Sequence, residues 1–371
     1  MNCKHTTSKL DRASGGSRIR LMKLSALAVL FATLIISQTA CGGTQAQPVM
    51  DDGYFLDTIC SVSIYRMADE NGDVKDASKM KEEAEDTIED AFDLCEDLED
   101  KLSRTREGSD ISKVNAAGGE WVEVSDETLD IVERGLECSI NSGGDFDITI
   151  GGVTKLWDFH AAEGEAKLPD EEELAEAVKH VDFNDIEVDG NKIRLKDPKT
   201  EIDLGGIAKG YIGDRMTDLL EEKGVISATI NLGGNVICIG GKTEDDDFVI
   251  GVEAPFSDRT EIIGKIDARD KTLVTSGIYE RKIEVDGKLY HHILDTRTGM
   301  PVDSGLSAVT LTADKGLSAD LDAASTICLI KGYDGALKYI NEEMPEGVEA
   351  VFVFENGDIK TTDGSGFEKE Q

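Results

Sequence analysis

The chain has 371 residues, a length that allows one large domain or two modest ones with a sizeable core. Hydrophobic residues make up 39% of the sequence and recur periodically, which excludes a disordered or fibrous chain. The net charge at pH 7 is −37, so most of the surface would repel phosphate backbones. We therefore expect no nucleic-acid partner, and any anionic ligand needs a locally positive site.

The first 40 residues differ in charge from the rest of the chain. They contain six Lys and Arg and one Asp, a net charge of +5, which leaves −42 on residues 41–371. Leu24–Ile36 is an apolar stretch of thirteen residues, shorter than the roughly 20 residues of a membrane-spanning helix. The order of basic, apolar and small residues predicts a secretory signal over residues 1–40, with Met22 as an alternative start.

The segment Thr39-Ala40-Cys41-Gly42 resembles a bacterial lipobox, in which the Cys is lipidated and becomes the first residue. The alternative is an ordinary cleaved signal. We expect Cys41 to carry the lipid, residues 41–52 to form a tether and residues 53–371 to form the folded domain. The protein would then be exported and anchored by its lipid to the outer side of the bacterial cytoplasmic membrane.

Five further Cys residues follow the predicted tether. None belongs to a C-x-x-C pair or to a Cys/His cluster, which argues against a zinc site and against a dense disulfide framework. Because each has apolar neighbours, we expect buried thiols at Cys60, Cys95, Cys138, Cys238 and Cys328.

Helices and strands are predicted from the start of the domain. Tyr54–Tyr65 alternates between apolar and polar residues, as a half-buried strand does. Within Ala84–Leu102, apolar residues recur every three or four positions, which predicts a long amphipathic helix. The same pattern predicts a second helix at Asp126–Ser139 and a short third one at Glu171–Lys179.

The second half of the domain mixes strands with helices. Ile186–Leu195 and Ile283–Tyr290 alternate on either side of a Gly-containing turn, which predicts two hairpins. Further strands are predicted at 228–239, 248–252, 273–276, 307–311 and 350–355, and further helices at 321–330 and 335–340. Because strands and helices do not alternate regularly, the pattern favours an α+β fold in one large domain.

Ser142–Gly152 is the first segment that could bind a ligand. It contains two Gly pairs, which let a ligand approach the backbone, and two carboxylates, Asp145 and Asp147, which could bond hydroxyl or imino groups. A plain surface loop is the alternative interpretation.

Ile202–Tyr211 is the second such segment, at the predicted junction of a short strand and a helix. The N–H groups at such a junction, together with Lys209, attract phosphate even in an acidic protein. The segment matches neither the Walker A loop nor the G-x-G-x-x-G pattern. A helix start that packs closely through its glycines is the alternative.

Tyr290–Pro301 is the third segment. Two of the five His residues in the chain, His291 and His292, are adjacent here, with Asp295 and Arg297 nearby. A His with an ordinary pKa is the natural general base near neutral pH. A surface His pair without a catalytic role is the alternative.

Asp322 and Thr326 form the fourth candidate, inside a predicted apolar helix. Positions i and i+4 lie on one helical face, so the carboxylate and the hydroxyl point the same way. Two hard oxygens without His or Cys suit Mg²⁺. The alternative is that Asp322 caps the helix and Thr326 belongs to the core.

Taken together, these segments resemble one family from about Tyr54 to Tyr339. The motifs that carry the resemblance are Gly143-Gly-Asp-Phe-Asp-Ile-Thr, Asp203-Leu-Gly-Gly-Ile-Ala-Lys-Gly-Tyr, Asn231-Leu-Gly-Gly-Asn, Thr275-Ser-Gly-Ile-Tyr, His292-Ile-Leu-Asp-Thr-Arg-Thr-Gly and Asp322-x-x-x-Thr326. Their types and order are similar to those of the ApbE family of FAD:protein FMN transferases, many of which are exported lipoproteins. The resemblance implies an α+β, T-fold-like catalytic domain.

The resemblance also implies a reaction and a site. FAD is cleaved at its pyrophosphate, FMN is joined through its phosphate to a Ser or Thr hydroxyl of an acceptor protein, and AMP leaves. Mg²⁺ would be held by Asp322, Thr326 and the carbonyl of Gly206, and His292 is the candidate base. The FAD contacts implied are Leu56, Thr105, Asp145, Phe146, Asp147, Asp203, Lys209 and Leu294.

Three positions depart from the family pattern. Leu56-Asp57 stands where Met-Gly is usual, Thr105 where many transferases carry Tyr, and Thr296 where Pro is common. Two alternatives to transfer are a FAD pyrophosphatase that uses water as acceptor and a surface lipoprotein that only binds flavin. The implied acceptor is an exported or membrane-anchored electron-transfer protein. Because this chain has no convincing acceptor motif, self-flavinylation is not expected.

Overall fold

The computed structural model describes residues 47–159, 165–257 and 261–370. The predicted signal segment 1–40 and Cys41 lie outside the described residues. Within them the helices are α1 (Ala77–Leu102), α2 (Asp110–Ala116), α3 (Asp126–Ser142), α4 (Gly151–Thr154), α5 (Glu171–Ala177), α6 (Ala208–Glu222) and α7 (Ser318–Glu343). None of these helices is both long and apolar enough to cross a membrane.

The described strands are named in chain order. They are β1 (Val49–Phe55), β2 (Thr58–Met67), β3 (Val122–Glu123), β4 (Ile186–Asp189), β5 (Lys192–Leu195), β6 (Val225–Leu232), β7 (Asn235–Ile239), β8 (Phe248–Glu253), β9 (Ile262–Ala268), β10 (Lys271–Gly277), β11 (Lys282–Val285), β12 (Lys288–His291), β13 (Leu306–Asp314), β14 (Glu349–Phe354), β15 (Ile359–Thr361) and β16 (Glu368–Lys369).

An eight-stranded antiparallel sheet organises the domain, in the order β1-β2-β6-β7-β10-β13-β14-β15. Smaller sheets are β16-β9-β8, β3-β5-β4 and the hairpin β11-β12. Helices α1, α6 and α7 pack against β1, β6, β7, β10 and β13. Mixed antiparallel sheets with packed helices confirm the predicted α+β class.

The main sheet is buried on both faces, as the alternation along β10 shows. Val274 belongs to the large core that includes the helices, whereas its neighbour Leu273 packs with Phe248 and Ile266 of the β8-β9 sheet. Successive residues of a strand point to opposite faces, so one strand contributes to two cores. This arrangement fixes the helices against the sheet and with them the residues of the candidate site.

Helices α6 and α7 touch through their backbones. A Cβ atom added to Gly210 would lie 2.1 Å from the carbonyl oxygen of Ser318, so only glycine allows this approach. On the next turn of α6, Asp214 accepts hydrogen bonds from the backbone N–H groups of Ser318 at 3.1 Å and Ala319 at 3.0 Å. A carboxylate of α6 therefore caps the first turn of α7.

The predicted helices are confirmed. Two segments that were each predicted as one strand are instead two strands joined by a turn. Ala84–Leu102 lies within α1, and Asp126–Ser139 lies within α3. Tyr54–Tyr65 is not one strand, because Leu56 and Asp57 take φ values of 55° and 58° and form the turn between β1 and β2. The segment 228–239 is likewise divided by a turn into β6 and β7.

Other boundaries also differ from the sequence-based ones. β1 begins at Val49, so its first residues fall within the segment 41–52 that was expected to be a tether. The two helices predicted at 321–330 and 335–340 both lie in α7, where Gly332 with φ 67° and ψ 177° interrupts the helical backbone. The sequence patterns did not predict α2, α4, β3, β9, β15 or β16. All five Cys residues of the domain are buried, as expected.

We expect Gly210→Ala to lower the free energy of unfolding by about 2 kcal/mol, because the added methyl group forces α6 and α7 apart. Urea denaturation measures this change. The matched control is Gly152→Ala on α4, where an added Cβ meets no described atom within 4 Å; it should change stability by less than about 1 kcal/mol. Equal effects of the two substitutions would contradict the close packing of the helices.

Candidate functional site

A buried ion pair joins α6 to α7 at the centre of the candidate site. Lys209 Nζ lies 3.0 Å from Asp322 Oδ1, and the backbone N–H of Gly210 donates to Asp322 Oδ2 at 3.0 Å. The Asp322 side chain is 2% exposed and that of Lys209 is 21% exposed. Burying a carboxylate is costly unless it is paired, and here each oxygen has its own donor.

Two other oxygens predicted as metal ligands have no hydrogen-bond partner in the described part of the chain. No described N–H donates to the carbonyl of Gly206, which precedes α6, and the N–H of Gly210 donates to Asp322. The hydroxyl of Thr326 makes no hydrogen bond to a described residue, whereas that of Thr217 bonds its own helix at 2.8 Å. Both oxygens are therefore available to a hard cation, as the donor chemistry of Mg²⁺ requires.

No group of three or more His, Cys, Asp and Glu side chains placed for a metal occurs among the described residues. The predicted set contains a single carboxylate, so it would not form such a group. Its members fit Mg²⁺ by donor type, with one carboxylate, one hydroxyl and one carbonyl oxygen. A site of this kind leaves other positions to water and to substrate phosphate.

Asp203 lies on the segment that leads into α6 and is held from several sides. Its Oδ2 accepts hydrogen bonds from Thr154 at 2.7 Å and from Arg104 at 2.9 Å, and its Oδ1 accepts from the N–H of Gly205 at 2.9 Å. Thr105 follows Arg104 in the chain and is exposed. The structure thus brings the loop after α1, with Thr105, to the start of α6.

Asp145 and Phe146 connect the Gly-rich loop to the other parts of the site. Asp145 forms ion pairs with Arg297 and Lys331. The ring of Phe146 is buried, and a Cβ added to Gly206 would lie 2.8 Å from it. The predicted FAD contacts of this loop therefore adjoin the predicted metal ligand Gly206.

Asp147 has a structural environment that its sequence motif does not reveal. Its Oδ1 accepts from both the N–H and the hydroxyl of Thr149, and its Oδ2 accepts from the N–H of Phe183 at 3.0 Å. Burial raises its pKa, against the lowering effect of these hydrogen bonds. Protein donors already occupy both oxygens of this buried side chain, so it holds the loop, and its predicted contact to FAD remains a prediction.

His292 follows β12 and contacts the residue that precedes β11. Its Nδ1 lies 3.1 Å from the carbonyl oxygen of Arg281. Since a carbonyl only accepts hydrogen bonds, this contact places the proton on Nδ1 and leaves the lone pair on Nε2. Burial, followed by the positive charge of Arg281 and a smaller effect of Lys209, lowers the pKa of His292 to about 3. The ring is therefore neutral near pH 7.

Leu56 and Leu294 belong to other parts of the described structure than the Lys209–Asp322 pair. Leu56 is half-buried in the β1-β2 turn. Leu294 is buried in an apolar cluster with Val153 and Trp157. Their predicted FAD contacts remain predictions.

Two residues with unusual surroundings were assigned no role from the sequence. Lys331 pairs with Asp145 across a sequence separation of 186 residues, which no local pattern reveals. Asn235 is fully buried, and neither polar atom of its side chain has a partner among the described residues. It pairs in register with Val274, so it lies on the face of β7 that the helices cover. The sequence signal that could have identified Asn235 is a polar residue on the covered face of an otherwise apolar strand.

Comparisons with known proteins identify relatives of the whole domain. A model of the ApbE family matches residues 56–352. The chain is 30% identical to the FAD:protein FMN transferase of Treponema pallidum over 342 residues, which are 88% of this chain and 90% of that protein. It is 34% identical to a FAD:protein FMN transferase of Klebsiella pneumoniae over 273 residues, 72% of this chain and 82% of that protein.

Solved structures share the fold. The ApbE protein of Thermotoga maritima matches with a TM-score of 0.74 at 30% identity, covering 85% of this chain and 97% of that one. The apo form of the flavinyl transferase ApbE of Pseudomonas stutzeri matches with a TM-score of 0.71 at 24% identity, covering 87% and 97%. The second likeness shows the fold alone.

We expect Lys209→Met to lower the free energy of unfolding by about 3 kcal/mol, because Asp322 is left buried without its cation. Combined with Asp322→Asn, the loss should be at least about 1 kcal/mol smaller than the sum of the two single losses. Urea denaturation of the two single variants and the double variant measures the coupling. The exposed pair Lys155–Glu201 is the control, with an expected coupling below about 1 kcal/mol. Additive losses at Lys209 and Asp322 would contradict the pairing.

Proposed function

The chain belongs to the ApbE family, and from this premise we propose that it is an enzyme that transfers FMN from FAD to a protein acceptor. The observation that carries the proposal is the centre formed by α6 and α7. There a buried Asp322 is paired with Lys209, and the oxygens of Gly206 and Thr326 accept no hydrogen bond from any residue that the structure describes. Pure flavin binding would not need this set of groups beside His292.

The substrate pyrophosphate is anionic, and the site provides local positive charge that would attract it. Lys209 is the second residue of α6, so its ammonium lies at the positive end of a fifteen-residue helix. The backbone N–H of Gly206 lies at the same end, whereas that of Gly205 already donates to Asp203. These groups would bind and orient the phosphates in a chain whose net charge otherwise repels them.

Asp322, Thr326 and the carbonyl of Gly206 would hold Mg²⁺, which when bound supplies positive charge to the pyrophosphate oxygens. The ion pair with Lys209 keeps the Asp322 carboxylate oriented, and Phe146 packs against Gly206. The residues of this chain therefore hold the three donors in place before substrate arrives.

We propose that Nε2 of His292 accepts the proton of an acceptor Ser or Thr hydroxyl. The hydroxyl oxygen forms a bond to the phosphorus of the FMN half. The bond between that phosphorus and the bridging oxygen breaks, and AMP leaves with the bridging oxygen. The hydrogen bond of Nδ1 to Arg281 supports this role, because it holds the ring in the tautomer with a lone pair on Nε2.

The acceptor and the location are further parts of the proposal. We propose an exported or membrane-anchored electron-transfer protein with an exposed Ser or Thr as acceptor. We also propose that this chain is itself exported and held at the membrane by a lipid on Cys41. The basic and apolar order of the first 40 residues and the lipobox-like Thr39–Gly42 segment support this location.

A labelling assay tests the function. Purified protein with FAD, Mg²⁺ and an acceptor protein should yield acceptor that stays fluorescent in a denaturing gel, together with AMP. Asp322→Ala should lower the labelling rate by at least about a hundredfold, because it removes a metal ligand and leaves Lys209 unpaired.

Each alternative has its own outcome in that assay. AMP without labelled acceptor would overturn transfer in favour of a FAD pyrophosphatase. FAD retained without AMP or label would favour a flavin-binding protein. Asp334→Ala, on the last part of α7, is the control and should leave labelling unchanged.

The pKa of His292 predicts how the rate depends on pH. In the free protein this His is neutral well below pH 6.5, so kcat/KM for FAD should show no acidic limb near pH 6.5. Bound FAD adds negative charge beside Lys209, which raises the pKa of His292, so the limb in kcat should lie at higher pH than that in kcat/KM. Initial labelling rates between about pH 4 and about pH 8 measure both.

His292→Asn should lower kcat by about a hundredfold or more, because the acceptor proton then has no base. His180→Asn, in an ion pair far along the chain from β12, is the control and should retain the wild-type pH profile. A wild-type rate in the His292→Asn variant would contradict the assignment of the base.

A further inference from the structure

The loop Ser142–Asp147 is held by a lysine that lies outside the family motifs. Lys331 Nζ donates to Asp145 Oδ2 at 2.5 Å and to the carbonyl oxygen of Ser142 at 2.9 Å. Lys331 is on α7, directly before the interruption at Gly332. One ammonium thus connects Ser142 and Asp145 of this loop to α7, the helix that carries Asp322.

A second element holds the same loop from the other side. The hydroxyl of Thr296 donates to the carbonyl oxygen of Gly144 at 2.7 Å, and Arg297 forms an ion pair with Asp145. The side chains of Asp145 and Lys331 are 15% and 21% exposed, whereas Arg297 is 68% exposed. Of the two cations on Asp145, Lys331 is the less exposed to solvent, so water weakens its ion pair less. It should therefore contribute more than Arg297 to holding Asp145.

The position of the loop Ser142–Asp147 affects the proposed metal ligand Gly206, because the loop packs against it. Phe146, next to Asp145, packs against Gly206, whose carbonyl faces no described donor. A shift of Asp145 would move Phe146 and with it the turn that leads into α6 and Lys209.

We propose that Lys331 is a positioning residue for FAD binding, which acts by holding Asp145 and the Ser142 carbonyl so that the loop Ser142–Asp147 is already in its binding conformation. The inference rests on the proposed function, because it takes FAD as the ligand. It adds a residue to the site that neither the sequence motifs nor the helix pattern of α7 indicates.

Titration of FAD, followed by its fluorescence, tests the proposal without any need for transfer. Lys331→Met should raise the Kd for FAD about tenfold, the ratio expected when a charge-assisted contact no longer holds the loop. Lys331→Arg should stay within about threefold of the wild type, because a guanidinium also donates to both acceptors. Lys338→Met, whose exposed ion pair is on the same helix, is the matched control and should bind FAD as the wild type does.

Two further measurements separate positioning from a general loss of structure. In the transfer assay, Lys331→Met should raise KM for FAD about tenfold and change kcat by less than about threefold. Amide hydrogen exchange should quicken at residues 143–147 and stay unchanged in β6.

Thr296→Val removes the hydroxyl contact and keeps the size of the side chain, so it provides an independent second variant. Thr296→Val should raise the Kd for FAD by about threefold. Thr296→Ser, which keeps the hydroxyl, should bind FAD with the Kd of the wild type. The second variant keeps the test decisive if Lys331→Met fails to fold.

The outcomes distinguish this inference from the proposed function. A wild-type protein that binds FAD but labels no acceptor overturns the function, while the titrations still test the role of Lys331. Labelling by the wild type with an unchanged Kd in both Lys331→Met and Thr296→Val overturns the role of Lys331 alone. A loss of kcat at constant Kd would also overturn it, and a wild-type protein that binds no FAD overturns both.

Discussion

The ion pair between Lys209 and Asp322 is the interaction on which the rest of the site depends. It can form only because Gly210 lets α6 reach the backbone of α7. Asp322 also accepts a hydrogen bond from the N–H of Gly210 in the first turn of α6, and no described N–H donates to the carbonyl of Gly206. One buried carboxylate therefore joins two helices and sets the geometry of the proposed metal ligands.

The same principle of pairing extends through the site and explains how an acidic protein could bind an anionic substrate. Asp145 is paired with Lys331 and Arg297, and Asp203 with Arg104. Asp147 is held by neutral donors instead, and burial raises its pKa. With these carboxylates compensated by protein groups, the site differs in charge from the strongly acidic chain as a whole.

The success of sequence-based prediction followed the length and periodicity of each element. The amphipathic pattern of Ala84–Leu102 identified α1 because a long helix repeats its signal over many turns. The β1-β2 hairpin was missed because its two-residue turn leaves the apolar alternation unbroken, and Leu56 and Asp57 adopt positive φ without a glycine to indicate it. Short edge strands such as β16 carry too few residues for any pattern.

For the site, the sequence by itself determined which chemical groups are present and which of them share a local element. Asp322 and Thr326 lie one helical turn apart, and their common face follows from that spacing alone. Only the tertiary structure decided that Lys209 meets Asp322, that Lys331 meets Asp145, that the oxygens of Asp147 are already occupied and that His292 is neutral. These properties depend on burial and on contacts between distant segments, which periodicity and spacing along the chain do not encode.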